Sequence, residues 1–465
     1  MPKIPPLFAH QQQSVDRIAK CDRILDTSDP GTGKTRVQIE AYRQRIKHDP
    51  GKALIIAPKT LLESAWEDDI KKFAPELVCS VARASNREKA FQVPADVYIT
   101  NTDAANWLAK QKPAFFASFH TLIIDEISTF KHKTSQRSKA VNKIKKFFRY
   151  RAGLTGTPNA NSIVDVWHPA FLIDDGVRLG TSFYQFRAAV CEPVQVGPSA
   201  NMLKWQDKEG AELSVSQLLS DITVRHKFEE CLSIPPNHTF SVNYALSAKQ
   251  RRAYTDMERV GIALTQSNEI VTAVNAASVA TKLLQIASGA VYNTEPDLEG
   301  DVPTGQFVNI DTGRYELVGE LVEDRKHSIV FFNWIHQRNN LIAEFERRGI
   351  KYVLIDGSVK DSDRKKAVDE YQAGFYQVLL AHPQSAAHGL TLTKGTTTIW
   401  ASPTYNLEHF VQGNRRIYRA TQKLNTETIV IIAKNTIEET VYQKLMDKDA
   451  RQLTFLDLMK SVFGP

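Results

Sequence analysis

An α/β fold of two doubly wound parallel-sheet lobes with helical insertions is predicted by three observations. The first is length: 465 residues, 42% of them hydrophobic, are too many for one ordinary core and suit two domains of roughly 200 residues each. The second is a pair of rhythmic series in which aliphatic runs alternate with charged, helix-like segments. The third is a glycine-rich turn placed between the first such strand and the helix that follows it, where an open parallel sheet binds its ligand.

In the first half the runs are RIL (Arg23 to Leu25), ALIIAP (Ala53 to Pro58), VYIT (Val97 to Thr100), TLIID (Thr121 to Asp125) and RAGLTGT (Arg151 to Thr157). The second half repeats the pattern with SIVFF (Ser328 to Phe332), YVLID (Tyr352 to Asp356), QVLLA (Gln377 to Ala381), TTTIWA (Thr396 to Ala401) and ETIVIIA (Glu427 to Ala433). The rhythm breaks from about Asn159 to Glu230, which reads as mixed helical and irregular, and again from Ser247 to Ala290, whose composition is helical. These boundaries place one lobe at 1–230, with a helical extension from about 159, and a second at 231–465, with a helical insertion at about 247–290. The segment SIPPN (Ser233 to Asn237) reads as the crossing between them, and Asn293 to Gln306, rich in acid, Pro and Gly, as an exposed loop. The final helix, TIEETVYQKLMDK, sets Glu438 and Glu439 in its first turn and Lys444 and Lys448 near its end, complementing the helix dipole. Ile437, Val441 and Leu445 form its apolar stripe.

Within this frame SDPGTGKT (Ser28 to Thr35) has the chemistry of a phosphate cradle. Pro30, Gly31, Thr32 and Gly33 bring backbone N–H groups around phosphate oxygens at a helix N-terminus. Lys34 would neutralise the β- and γ-phosphates of ATP, and the Thr35 hydroxyl would join the Mg²⁺ shell. The first glycine of GxxxxGK[ST] is replaced by Ser28, a small residue that still permits the turn. TLIIDE then delivers two adjacent carboxylates to a strand's carboxyl edge: Asp125 for Mg²⁺, and Glu126 to orient and deprotonate the attacking water. The plain alternatives are a ligand-free turn and ordinary surface acids. With LTGTPNANS (Leu154 to Ser162) and QGNRRIYRATQ (Gln412 to Gln422) following in order, the four segments together describe an ATP-driven nucleic-acid motor.

Composition narrows the partners. A formal net charge of +7 suits a polyanion, with basic clusters at Lys131 to Lys139, Lys143 to Arg151 and Arg364 to Lys366. Each cluster taken singly reads equally well as a solvated helix face. The apolar runs fall short of the ~18 residues needed to cross a bilayer, and MPKIPPLF lacks the apolar core of a secretory signal, so a soluble intracellular protein is expected. A monomer is expected as well. Cys21, Cys79, Cys191 and Cys231 form no CxxC pair and are expected as reduced thiols.

From LFAHQ to the helix ending near Lys448, the chain resembles the Swi/Snf-like branch of helicase superfamily two. LTGTPNANSIVDVWHPAFLI resembles that family's LTGTP-x-x-N segment. DITVRHKF with IPPN, then LSAKQRRAY, resembles the passage joining its lobes, and GIKYVLIDGSVKDSDRKKAVDEY its "dG-s-x-x-x-x-R" stretch. QGNRRIYRATQ resembles its Q-x-x-x-R-x-x-R-x-x-Q finger. The resemblance implies two RecA-like lobes, a glutamine that reads adenine at Gln11 (Gln12 and Gln13 adjoin it), and arginines that reach the γ-phosphate at Arg416 and Arg419, spaced as on one helical face. It implies phosphate contacts to a nucleic-acid strand at Lys59, Thr60, Thr100 and Thr391. Thr155 and Thr157 would couple the carboxylates to the other lobe, or else cap the helix after Pro158, and Gln412 and Gln422 complete the finger's register. Ala386 and Ala387 depart from the family's usual glycines.

The expected function is a DNA-dependent ATPase that translocates along duplex DNA without sequence preference, using ATP and Mg²⁺. Two other readings stay open: a strand-separating or fork-remodelling helicase, and an ATP-gated DNA clamp or motor subunit of a restriction-like complex. A motor this compact, with little chain beyond its second lobe, suits a bacterium or bacteriophage.

Overall fold

The computed structural model describes residues 4–159, 161–195, 203–231, 234–266, 273–292, 307–386, 390–419 and 421–461. The chain divides into two units: Met1–Ser233 with Lys448–Pro465, and Ile234–Asp447. Each is built on one all-parallel sheet.

The first unit contains β1 (Arg23–Asp26), β2 (Lys52–Ala57), β3 (Cys79–Ala82), β4 (Val97–Asn101), β5 (Phe119–Asp125), β6 (Tyr150–Leu154), an antiparallel hairpin of β7 (Cys191–Gln195) and β8 (Leu203–Asp207), and the short β9 (Thr223–Val224). The seven-stranded sheet has the order β3-β4-β2-β5-β6-β1-β9. Successive side chains enter opposite layers, as the two-residue period of a strand requires. Leu25, Leu54, Ile56, Leu122 and Ile124 pack with Phe116, Ile144, Phe148 and Trp167. Their neighbours Ile24, Ala53, Ile55 and Ile123 pack on the other face with Ile39, Trp66 and Ile70. A sheet covered on both faces explains why these strands read as unbroken aliphatic runs.

The second unit contains β10 (Asn237–Tyr244), the paired β11 (Ala290–Tyr292) and β12 (Phe307–Asn309), then β13 (Ser328–Phe331), β14 (Tyr352–Ile355), β15 (Val378–Ala381), β16 (Thr397–Trp400) and β17 (Thr426–Ala433). Its six-stranded sheet has the order β10-β17-β16-β13-β15-β14. Ile329, Phe331, Leu379, Trp400, Val430 and Ile432 face one layer. Val330, Val378, Leu380, Ile399, Ile429 and Ile431 face the other. The architecture is thus the expected pair of doubly wound lobes, and helices Ala248–Gln266 and Ala273–Ala287 occupy the stretch that reads as helical.

Three features differ from the sequence reading. Strand β10 escapes it because NHTFSVNY is a largely exposed edge strand, polar at most positions, that pairs with β17 along its whole length. The final helix runs on from Ile437 to Ser461, since no Gly or Pro interrupts it before Gly464. Glu438 does not merely face the helix dipole. Its side chain and that of Arg314 are each 1% exposed and form an ion pair at 2.8 Å. Arg314 also donates to the carbonyls of Ala401 and Ala287, and Glu438 accepts from the Ala433 amide, so this pair ties the inserted helices to the ends of β16 and β17. The acidic stretch Asn293 to Gln306 lies outside the described residues, as does Ala387. All four cysteines are unbridged. No helix among the described residues is long and apolar enough to cross a membrane.

Removing one member of the buried pair strands the other charge. Arg314→Met is expected to destabilise the second unit by about 3–5 kcal/mol, and Arg314→Met with Glu438→Met to recover most of that loss, as read from urea denaturation midpoints.

Candidate functional site

Strand register assembles the first site. Asp26 of β1 is level with Leu154 of β6, which is level with Asp125 of β5. The segments that leave these three strand ends, SDPGTGKT, TGTP and EIST, therefore emerge side by side at one carboxyl edge. Their contacts are direct. The Thr155 amide donates to the Asp26 carbonyl at 3.0 Å, and a Cβ at Gly156 would lie 2.9 Å from the Pro30 ring.

The loop itself has the geometry of a cradle. Gly31 and Gly33 sit at φ +92° and +87°, and Gly33 caps the helix Lys34–Arg45, whose second residue is Thr35. A side chain at Gly33 would meet Gln11 Nε2 at 2.2 Å. Lys34 Nζ lies over the loop, donating to the carbonyls of Ser28 (2.7 Å) and Asp29 (3.2 Å). Gln11, buried, donates to the Thr32 carbonyl at 3.1 Å, and His10 Nε2 donates to the same oxygen at 2.9 Å. Gln12 and Gln13 are exposed, and Gln12 bonds to Asp16, so it is Gln11 that faces the loop.

A clamp that sequence reasoning missed fixes this loop from the β9 side. Arg225, its side chain fully buried, pairs with Asp29 Oδ1 at 2.6 Å and donates to the Thr27 carbonyl. Asp29 Oδ2 accepts from the Phe228 amide, while the His226 amide donates to Ser28 Oγ. Nothing in the spacing of TVRHKF signals this role. The one available hint was the acid inside the loop, which needs a cation if phosphate is to approach.

Asp125 is buried, and both its oxygens are held: Oδ2 accepts from Trp66 Nε1 at 2.8 Å, Oδ1 from the Glu126 amide at 3.0 Å. Burial raises its pKa, opposed by the Trp66 hydrogen bond, the Lys34 charge and the Glu126 amide. Glu126 adopts φ +49°, a left-handed conformation uncommon outside glycine, which turns the chain sharply at the strand end. Thr155 and Thr157 are both 1% exposed. Thr155 Oγ1 accepts from the Thr157 amide, and Thr157 Oγ1 is buried with no hydrogen-bond partner.

Of the residues expected to touch a nucleic-acid strand, Lys59 is exposed and Thr60 half-buried in the turn that follows β2. Thr100 corrects its expectation: it is wholly buried, and its hydroxyl donates to the Ala82 carbonyl, holding the edge strand β3 instead of facing outward. The basic cluster Lys143 to Arg151 is likewise turned partly inward. Lys145 and Arg151 are buried and both pair with Asp175, so neither presents its charge to a partner.

In the second unit the finger segment is assembled against its own neighbouring loop. The helix Leu407–Asn414 ends before Arg416, so both finger arginines lie in the turns beyond it and not on a shared helical face. Arg416, buried, donates to the Leu390 carbonyl at 3.1 Å. Arg419, half-buried, donates to Thr391 Oγ1 at 2.7 Å. Burial lowers the Arg419 pKa to about 10, which leaves it charged at neutral pH. Gln412 is buried and donates to Glu408. Gln422 is wholly committed to the backbone: its amide nitrogen reaches the carbonyls of Thr393, Gly395 and Ile417, and its oxygen accepts from Lys423 and Leu424.

A polyphosphate fits the first edge, because the cradle is lined by backbone N–H groups and closed to side chains at Gly33. The hydroxyl of Thr35 and the carboxylate of Asp125 are oxygen donors of the kind Mg²⁺ takes alongside phosphates and waters. No cluster of three or more His, Cys, Asp or Glu suited to a metal occurs among the described residues.

Comparisons with known proteins bear on these two edges. The SNF2-related domain family matches residues 10–289, and the helicase conserved C-terminal domain matches 313–421. Protein p41 of Acyrthosiphon pisum secondary endosymbiont phage 1 is 28% identical over 92% of this chain and 93% of its own length. An uncharacterized ATP-dependent helicase of Mycoplasma pneumoniae is 25% identical over 96% of the chain, and the mouse chromodomain-helicase-DNA-binding protein 1-like is 23% identical over 99%. The chain spans 42% and 51% of those two longer relatives. A solved SWI2/SNF2 ATPase core of Sulfolobus solfataricus in complex with dsDNA aligns with 98% of the chain and 95% of its own at 19% identity and a TM-score of 0.44.

The Asp125 carboxyl supplies a pH test. Its folded pKa lies above the unfolded value, so the folded state binds the proton more tightly and loses this contribution to stability as pH rises through the folded pKa. In nucleotide-free protein, the melting temperature of Asp125→Asn relative to the parent is expected to rise between pH 4 and pH 7. A constant difference would mean that burial does not burden this carboxylate.

Proposed function

The chain belongs to the SNF2-related family of helicase-like ATPases, and from that premise we propose that it is an ATP-dependent translocase on duplex DNA. The observation that carries the reading is the convergence of Lys34, Thr35, Asp125, Glu126 and the TGT turn at one carboxyl edge, with the cradle glycines left-handed and side-chain-free. In this reading Gln11, which faces the loop, recognises adenine. Backbone N–H groups from Gly31 to Thr35 and the Lys34 ammonium hold the phosphates. Thr35 and Asp125 hold Mg²⁺, which when bound neutralises charge on the β- and γ-phosphate oxygens. Glu126 orients water and takes its proton, and Arg416 and Arg419 stabilise the charge of the transition state. Thr155 and Thr157 sense the loss of phosphate, a role supported by the packing of Gly156 on Pro30.

DNA is the proposed track because the chain carries an excess of cations and its relatives include a DNA-binding helicase. Lys59, Thr60 and Thr391 are proposed to meet backbone phosphates, so grip is independent of sequence and weakens steeply with salt. The phage relative, matched along nearly its whole length, supports action in the cytoplasm of a bacterial cell or phage-infected host.

Hydrolysis is expected to accelerate when duplex DNA is added, and equal rates with and without DNA would overturn the translocase reading. Triplex displacement in the absence of strand separation would mark translocation over unwinding. Glu126→Gln should bind ATP and lose about 10²- to 10⁴-fold in turnover. Arg419→Ala should also retain binding and lose about 10³- to 10⁵-fold. Full activity in either variant would remove that residue from its role.

A further inference from the structure

We propose that Trp66 is a positioning residue for Asp125, and that its indole N–H links the segment after β2, where a nucleic-acid strand would bind, to the carboxylate that would hold Mg²⁺. The link to the strand rests on the reading of Lys59 and Thr60 given above. The hold on Asp125 stands on geometry.

Trp66 has no exposed surface, and its ring lies in the apolar layer with Ile39, Ile55, Ile70 and Ile123. A buried indole has one polar atom to satisfy, and any nearby carbonyl would serve. Here the acceptor is a carboxylate 59 residues further along the chain, at 2.8 Å. With the Glu126 amide on its other oxygen, Asp125 is fastened at both ends and cannot rotate about its terminal bond without breaking one of them. The remaining lone pairs of the carboxylate therefore point in fixed directions. That is the pre-orientation that outer-shell donors give to metal-binding carboxylates.

The backbone bearing Trp66 is itself unusual. After the single turn Lys59–Leu61, residues Leu62–Glu67 form a wide π-type helix before an ordinary helix resumes at Asp68–Phe73. Such turns are rare and are found frequently at functional sites. Ser64 Oγ donates to the Thr60 carbonyl at 2.9 Å, tying the wide turn to the residue proposed to meet phosphate. Thr60 Oγ1 is buried and makes no hydrogen bond in the protein, so it has one to offer a ligand that displaces the turn. A strand that moves Thr60 moves the turn carrying Trp66, and through Trp66 the orientation of Asp125. Thermodynamic reciprocity requires that metal-nucleotide binding act back on strand affinity by the same factor.

The experiment uses the full chain with ¹⁵N-labelled indoles. The Trp66 resonance is one of six, identified by its absence in Trp66→Phe or, should that variant fold poorly, by its displacement in Asp125→Asn. Adding duplex DNA without nucleotide is expected to shift this resonance, and Lys59→Ala with Thr60→Ala to abolish the shift. In a second arm, binding of a fluorescent ATP analogue is titrated with Mg²⁺. Trp66→Phe is expected to need about 10- to 100-fold more Mg²⁺ while binding the metal-free nucleotide as before. A purely structural tryptophan would lower the melting temperature and leave that split unmoved. Unchanged Mg²⁺ dependence overturns the positioning role. DNA that binds without shifting the Trp66 resonance overturns the link. DNA that does not bind at all removes the translocase reading and the link together, and the Mg²⁺ arm then decides the Asp125 role by itself.

Discussion

A carboxylate sits inside the glycine-rich loop of the first unit, and its neutralisation is the condition on which a phosphate site there depends. Asp29 lies between Ser28 and Pro30, where an uncompensated negative charge would repel any polyphosphate that approached the loop. Arg225 cancels it from a fully buried position, and the same guanidinium draws in the Thr27 carbonyl. A buried pair of this kind contributes little net stability compared with apolar packing, but it costs a great deal if half of it is lost. Its value here is geometric. It pins the loop's backbone to β9, so that the N–H groups of the cradle have one orientation before any ligand arrives.

Around that fixed loop the parallel sheet performs a sorting operation. All the strands of the first sheet run the same way, so all their carboxyl ends share one edge, and the register between β1, β6 and β5 brings the acid pair and the TGT turn level with the cradle. Burial of Asp125 has an energetic cost, visible in its raised pKa, and Lys34 and Trp66 offset it. The cost is borne in the free protein and would be relieved by a bound cation, a common arrangement where a site is built for a ligand and not for its own stability.

The second unit solves a different problem with similar means. Arg416 and Arg419 do not wait in solvent. They are folded onto the Leu390 to Thr393 loop, where Gln422 staples both strands of the turn through the backbone. Part of the finger motif is therefore scaffolding: Gln422 has no hydrogen-bonding capacity left for a nucleotide, whereas Arg419 engages the Thr391 hydroxyl through only part of its donor fork. The Arg314–Glu438 pair secures the helical insertion to the sheet carrying that loop.

The sequence by itself determined the two parallel sheets, because strands buried on both faces must be continuously aliphatic, and it determined the cradle, because only glycine tolerates φ near +90° beside Gln11. It also offered Lys34, Asp125, Glu126 and the two finger arginines as candidates, because each lies in a short contiguous motif. Only the tertiary structure decided which glutamine of Gln11 to Gln13 turns inward, that Thr100 is spent on an edge strand, that Lys145 and Arg151 answer Asp175, and that Arg416 lies past the end of its helix. Arg225 and Trp66 were illegible for the same reason. Their partners are 196 and 59 residues away, and no local period or spacing encodes a contact made by the closing of a sheet.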